Sequence, residues 1–166
     1  MKRNATFILT LAVAWAAGGC GYSMGPLHRT DVRTVAVSIF ASKEFRRELE
    51  FDLTRQLVKF IELRTPYKVV HDPERADTNL RGEIIYLSAP VLTEDVDTDS
   101  PADIEVSLTC WFEWKDLRTG EVLKRRDRIT GSATYAEAVN ETPDSATFEA
   151  SKRLAERIVE AMEKDW

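Results

Sequence analysis

Apolar and polar positions change period several times along this chain, and each change marks an element. In RTVAVSIF, Val35, Val37 and Ile39 alternate with Ala36, Ser38 and Phe40, the two-residue period of a half-buried strand. ASKEFRRELEFDLTRQLVKFIEL lengthens the period. There Phe45, Leu49, Leu53, Leu57 and Phe60 or Ile61 recur at i+4 and i+3, predicting a helix of about five turns with Ser42 as N-cap. Pro66 prevents its continuation. PYKVVHD reads as a short strand over Tyr67 to Val70, and a longer one runs from Leu80 to about Leu92 with Gly82 as a possible bulge. DIEVSLTCWFEWKD alternates most cleanly, with Ile104, Val106, Leu108, Cys110, Phe112 and Trp114 on one face and Trp111 on the other. DLRTGEV predicts a hairpin turn with Gly120 at positive φ, and VLKRRDRITGSATY the return strand. Thr142 and Pro143 cap and open a last helix, whose apolar stripe is Phe148, Leu154, Ile158, Met162 and Trp166.

The order β-α-β-β-β-β-α implies an α+β two-layer sandwich. Two long helices are expected on one face of a four- to five-stranded, mostly antiparallel mixed sheet. The crossover through the first helix should set the Tyr67 to Val70 strand parallel to the first strand.

The N-terminus changes the picture, because its pattern is that of an export signal. Lys2 and Arg3 form a positive region, Phe7 to Ala17 an apolar one, and Ala16 to Gly19 a small-residue cleavage zone. Eleven such residues span only about 16 Å as a helix, about half a bilayer core, so export is expected rather than a transmembrane span. Cys20 follows directly, and a core thiol, a disulfide half and a modified N-terminus compete for it. The only other thiol, Cys110, lies inside a strand and reads as a buried apolar residue, which favours an acylated Cys20. This matches the bacterial lipoprotein pattern, although Ala17 stands where Leu is usual and Gly18 and Gly19 are merely small. Gly21 after the cysteine favours the outer membrane by the bacterial sorting pattern. A diacylglycerol and an N-acyl chain (palmitate-type groups) supply more than the two chains that stable anchoring needs. The expected division is residues 1–19 as a removed signal peptide, 20–31 as a lipidated tether, and 32–166 as one domain.

Without the leader, 147 residues remain, enough to bury roughly two-thirds of the unfolded chain's surface. That portion carries 21 basic and 28 acidic side chains, which removes any bulk attraction to nucleic acid or anionic lipid and makes any basic site local. The dense basic cluster is KRRDR. On a regular strand Lys124, Arg126 and Arg128 share one face, and Arg125 and Asp127 the other. Two readings stand: a charged strand paired with Glu105 and Glu113 against aggregation, or guanidinium forks for phosphate. Trp111, opposite the apolar face, is either a contact for a partner or lipid or packed by neighbours.

No catalytic constellation is visible. His28 and His71 lack metal-type spacing, and neither a nucleophile elbow nor a phosphate-binding glycine loop occurs. The acidic DVDTDS loop, Asp95 to Ser100, fails the EF-hand pattern at Ser100 and Val106, and a solvated hairpin tip is its default reading. No metal, no cofactor beyond the acyl chains and no nucleic-acid partner are expected.

Several stretches together carry a family resemblance over essentially the whole mature chain: GGCGYSMG, VRTVAVSIF, FRRELEFDLTRQLVKF, ADTNLRGEI, DLRTGEVL and a final helix ending near Trp166. They resemble LptE, the outer-membrane lipoprotein family of lipopolysaccharide assembly. The resemblance implies a non-enzymatic, lipid-anchored protein that partners and plugs an LptD-type β-barrel and assists lipopolysaccharide delivery to the outer leaflet. Other envelope lipoproteins share TVAV-x-x-F followed by A-D-x-x-L-x-G, which keeps a second reading open: a regulator or scaffold of peptidoglycan synthesis, or a secretion-channel subunit. Under the first reading Lys124, Arg125, Arg126 and Arg128 are candidate lipopolysaccharide contacts, and Trp111 a candidate barrel or lipid contact.

Overall fold

The computed structural model describes residues 27–43, 47–95, 100–135 and 142–163. The leader, Cys20, Phe45, the middle of the DVDTDS loop and Trp166 lie outside them. Two helices, α1 (Arg47–Arg64) and α2 (Pro143–Ala161), cover one face of a seven-stranded sheet. Its strands are β1 (Thr34–Val37), β2 (Ala41–Ser42), β3 (Lys68–Val70), β4 (Thr78–Ser88), β5 (Val91–Asp95), β6 (Ser100–Asp116) and β7 (Val122–Tyr135). The α+β class and the one-sided helices are as expected. β1 pairs parallel with both β3 and β4, as the crossover rule requires, and β6 pairs antiparallel with β4, β5 and β7.

Two strands exceed the expected count. The predicted strand from Leu80 to Leu92 is interrupted at Ala89 and Pro90. Proline offers no N–H to the ladder, and its carbonyl still accepts from the Glu105 N–H at 3.1 Å, so β5 continues the pairing along β6. The other addition, β2, arises because β1 ends at Val37. The chain then turns, leaving Ile39 exposed and Phe40 buried, and rejoins β4 opposite Glu83 and Ile84. Ser42 is therefore also a strand residue; α1 is described from Arg47, and the cap expected of Ser42 falls on residues 44–46, outside the described ones.

The helix faces explain their packing. Leu49, Leu53, Leu57, Phe60 and Ile61 of α1 are buried, with Tyr67 beneath its C-terminal end. α2 buries Ala146, Ala150, Leu154, Ala155 and Ile158, a face in which alanines bring the helix close to the sheet. Phe148, expected in this stripe, is 42% exposed. It stands about 200° around the helix from Ala150 and faces away from the sheet. The expected cap is present: Thr142 and Ser145 form a reciprocal capping box with Pro143 at the start. Arg64 ties the helices together by pairing with Glu156 at 2.8 Å and Glu160 at 3.6 Å.

Glycine serves close approach at two strand positions. Gly82 is not a bulge. It pairs with Phe112 in register, and a Cβ there would strike the Phe40 ring and the Trp111 carbonyl. The bulge in β4 lies at Ile85, where the register with β6 shifts. At Gly131 of β7 a Cβ would fall on backbone atoms of Ala150 and Leu154, so this glycine sets the distance of α2 from the sheet. Gly120 has the positive φ expected of the β6–β7 turn, 77°. Asp116 organises that turn by accepting from the N–H groups of Arg118 and Thr119 at 2.7 and 3.0 Å.

Two predictions test this packing. Gly131→Ala should destabilise the domain by about 2 kcal/mol or more, since helix backbone rather than a flexible side chain must give way, and urea unfolding measures it. Asp77 joins the starts of β1 and β4, accepting from the Arg33 N–H at 2.9 Å and the Thr34 N–H and hydroxyl at 3.0 Å. Its carboxyl is held below the ordinary value chiefly by the Arg33 N–H. A depressed value adds stability above about pH 4 that is lost as pH falls through the folded value. Asp77→Asn should therefore cost on the order of 1 kcal/mol at pH 7, and its deficit against the parent should shrink in acid.

Candidate functional site

β6 divides the molecule. Its even positions from Ile104 to Trp114 are buried beneath the helices. Its odd positions share the opposite, helix-free face with partners from β4 and β7. Register places Arg81, Glu113 and Arg125 in one row there, and Tyr86, Thr109 and Thr130 in another. A further row is Ser88, Ser107 and Ser132. Side-chain bonds run across the strands within these rows: Ser88 to Ser107 at 3.0 Å and Thr109 to Thr130 at 2.8 Å. The result is a polar ladder with Tyr86, 58% exposed, standing out of it.

The ladder's charged end is built around Glu113. Its side chain is 8% exposed and lies between two guanidinium groups, Arg81 at 2.8 Å and Arg125 at 3.5 Å. Arg81 donates from both Nε and Nη2 to the same oxygen. A carboxylate this covered needs such partners, so the Arg81–Glu113–Arg125 row is structural first. Next to it the Trp111 indole N–H donates to Glu83 at 3.0 Å, and Lys43 approaches Glu83 at 3.8 Å. Trp111 is thus half-buried among polar neighbours on the face left open by the helices.

The KRRDR cluster does not form the single surface expected from strand alternation. Between the pairs Cys110–Ile129 and Phe112–Arg126, Trp111 faces two residues of β7, Asp127 and Arg128. This bulge reverses the alternation. Lys124 and Arg126 lie opposite Trp114 and Phe112 on the helix side, with Lys124 buried, while Arg128 lies by the bulge opposite Trp111. Arg125 is committed to Glu113 and to Asp127 at 3.0 Å. Arg126 and Arg128 are exposed and form no ion pair among the described residues. They are the cluster's available cations. Cys110 is a core thiol, fully buried and pushed up to about 12 by desolvation, which removes it as a nucleophile. Among the described residues no cluster of three metal-ligating side chains occurs.

Sequence reasoning missed two arrangements. Arg153 and Arg157, one turn apart on α2, donate to the β7 carbonyls of Ser132 and Thr130 and so cover part of that sheet edge. Their i,i+4 spacing was the available signal. The second is the docking of residues expected in the tether. The Arg29 N–H donates to the Tyr67 hydroxyl at 2.8 Å, and the His28 ring meets Tyr67 edge-on at 5.8 Å. Tyr67 in turn packs on Trp114 at 5.7 Å, and its hydroxyl is pushed up mainly by burial.

A model of the LptE lipopolysaccharide-assembly family matches residues 32–162. The chain belongs to that family. Its members are non-enzymatic lipoproteins of lipopolysaccharide assembly. No curated protein sequence matches the chain. Among solved structures it is similar to rare lipoprotein B from Shewanella oneidensis at 18% identity, over 78% of this chain and 93% of that one, with a TM-score of 0.50. Uncharacterized lipoprotein B from Nitrosomonas europaea is similar at 12% identity, over 78% and 81%, with a TM-score of 0.52. The dodecameric PelC from Paraburkholderia phytofirmans shares 16% identity over 84% and 95%, with a TM-score of 0.53. These likenesses concern the fold, which serves more than one envelope lipoprotein.

The row of three charges gives a direct test. Glu113→Ala should lower stability by about 1 to 2 kcal/mol, because charge-assisted bonds to two exposed arginines are lost without leaving a buried charge unpaired. Reversal of Arg126 and Arg128 to glutamate should leave the melting temperature within about 2 °C of the parent. Thermal unfolding of the two variants separates them.

Proposed function

We propose that this LptE-family chain is a lipid-anchored outer-membrane component that occupies an LptD-type β-barrel and assists delivery of lipopolysaccharide to the outer leaflet. The match to the family model over residues 32–162 carries this reading. In it, Cys20 bears a diacylglycerol and an N-acyl chain after removal of residues 1–19, and residues 20–31 lead to the domain. The helix-free face then meets the barrel. A barrel lumen is polar, and the hydroxyl and charged rows around Thr109, Ser107 and Glu113 suit such a wall better than they suit lipid. Tyr86 and Trp111 supply aromatic contact area within that face.

Arg126 and Arg128 have the chemistry for lipopolysaccharide phosphates, since exposed guanidinium groups bind phosphate bidentately. Charge reversal of both should weaken lipopolysaccharide binding at least tenfold, at roughly 1.4 kcal/mol for each tenfold step. Unchanged binding by the folded double variant would remove them from the site.

The partner is tested by purifying the protein from detergent-solubilised outer membranes. An LptD-type barrel should co-purify in a stable complex. A different stable partner, with no barrel, would overturn the reading in favour of a scaffold for another envelope machine. Mass spectrometry of the mature N-terminus should show an acylated Cys20, and an unmodified cysteine would refute the anchor.

A further inference from the structure

One end of the molecule gathers the N-terminal entry, the α1–β3 turn, the β6–β7 turn and the end of α2. The β5–β6 connection lies at the other end, roughly 50 Å away along β6. At the first end, residues 27–34 and the Pro66–Lys68 turn enclose an open groove of about 730 Å³, within the size range of ligand clefts. Leu27, Val32 and Pro66 give it apolar walls, and Arg29, Arg33 and Lys68 are also among the residues that line it, while exposed Asp31 belongs to the same segment without lining it. No acidic side chain lines it among the described residues, in a chain whose net charge is −5. His28 also lines it, and its Nδ1 is buried without a hydrogen-bond partner among the described residues. An apolar floor beside concentrated positive charge is complementary to an amphiphile with an anionic head.

Position narrows the class further. Leu27 is the seventh residue after Cys20, and seven extended residues reach at most about 25 Å. An acylated Cys20 therefore keeps the groove close to the leaflet that holds the anchor. We infer that this groove binds the anionic head group and adjoining acyl segment of a phospholipid of the anchoring leaflet, with Arg29, Arg33 and Lys68 as head-group contacts. The inference rests on the anchored reading and concerns residues distinct from the Arg126 and Arg128 site. Binding there sets the orientation of the domain on the membrane. A single N-terminal tether would leave the domain free to swivel, whereas a second attachment at the same end fixes which end faces the leaflet.

The test uses the mature acylated protein in proteoliposomes, so the anchor holds every variant at the same membrane concentration. The probes are photoreactive phosphatidylglycerol and photoreactive phosphatidylcholine, with peptide mapping of the adducts. Peptides containing residues 27–34 and 66–68 should be labelled by phosphatidylglycerol at least tenfold over phosphatidylcholine, as three basic side chains near an anionic head group predict. The Arg29→Glu/Arg33→Glu/Lys68→Glu variant should bring that ratio to about one, and reversal of Arg126 and Arg128 should leave it unchanged. Equal labelling of the parent by both lipids would overturn the inference, because the groove would then accept acyl chains, its own included, without head-group selection. Preferential labelling by a photoreactive lipopolysaccharide would overturn the choice of lipid. A parent chain that fails to float with the vesicles would instead refute the anchored reading.

Discussion

Two helices can cover only one face of a sheet, so the opposite face must be acceptable to water or to a partner. β6 carries that constraint residue by residue. Its even side chains, from Ile104 to Trp114, supply much of the core, and its odd side chains build the polar ladder. A one-residue slip would exchange the faces, placing Glu113 beneath the helices and Phe112 outside. Gly82 and Gly131 hold the arrangement from the other side, letting Phe40 and α2 approach β4 and β7 at distances that no Cβ allows. The charged row on the open face is a consequence. Glu113, covered by its neighbours, holds Arg81 and Arg125, and the cations left over are those that the bulge turns away from it.

The parts of this fold that were legible in the sequence are those in which one period runs unbroken. The alternation of β6, the i+3/i+4 stripe of α1 from Leu49 onward, the Thr142–Pro143 start of α2 and the Gly120 turn each depend on local chemistry, and each was found where expected. Departures occur where a tertiary contact overrides period. The bulge opposite Trp111 splits KRRDR between two faces, and nothing in that pentapeptide announces it. The short strand at Ala41 and Ser42 forms only because the chain rejoins β4 after Phe40 is buried. Phe148 is apolar, yet the face of α2 is chosen by alanines that permit close packing, so the larger ring is left outside. The groove could not be read from sequence, because Lys68 is more than thirty positions from Arg29 and Arg33 and meets them only through the parallel pairing of β1 with β3.

Function follows the same division. The covered face is committed to stability, and Cys110 and Trp114 are part of that core. The open face is different: its residues bond to one another, leaving a flat polar surface with Tyr86 projecting and Trp111 seated beside Glu83. Such a surface can face water, and it can also line up against a polar wall without trapping unpaired groups. In the proposed function the two basic regions have separate tasks, one beside the bulge and one at the end where the chain enters the domain.

The claim on which this account turns is that the helix-free face meets the barrel. Tyr86 offers the most direct probe, because it projects from that face and bonds to no other described side chain through its hydroxyl. With photoreactive benzoylphenylalanine in place of Tyr86 in the acylated protein, irradiation of intact cells should give an adduct with an LptD-type barrel. A membrane-anchored protein that yields no barrel adduct from this position would contradict the account.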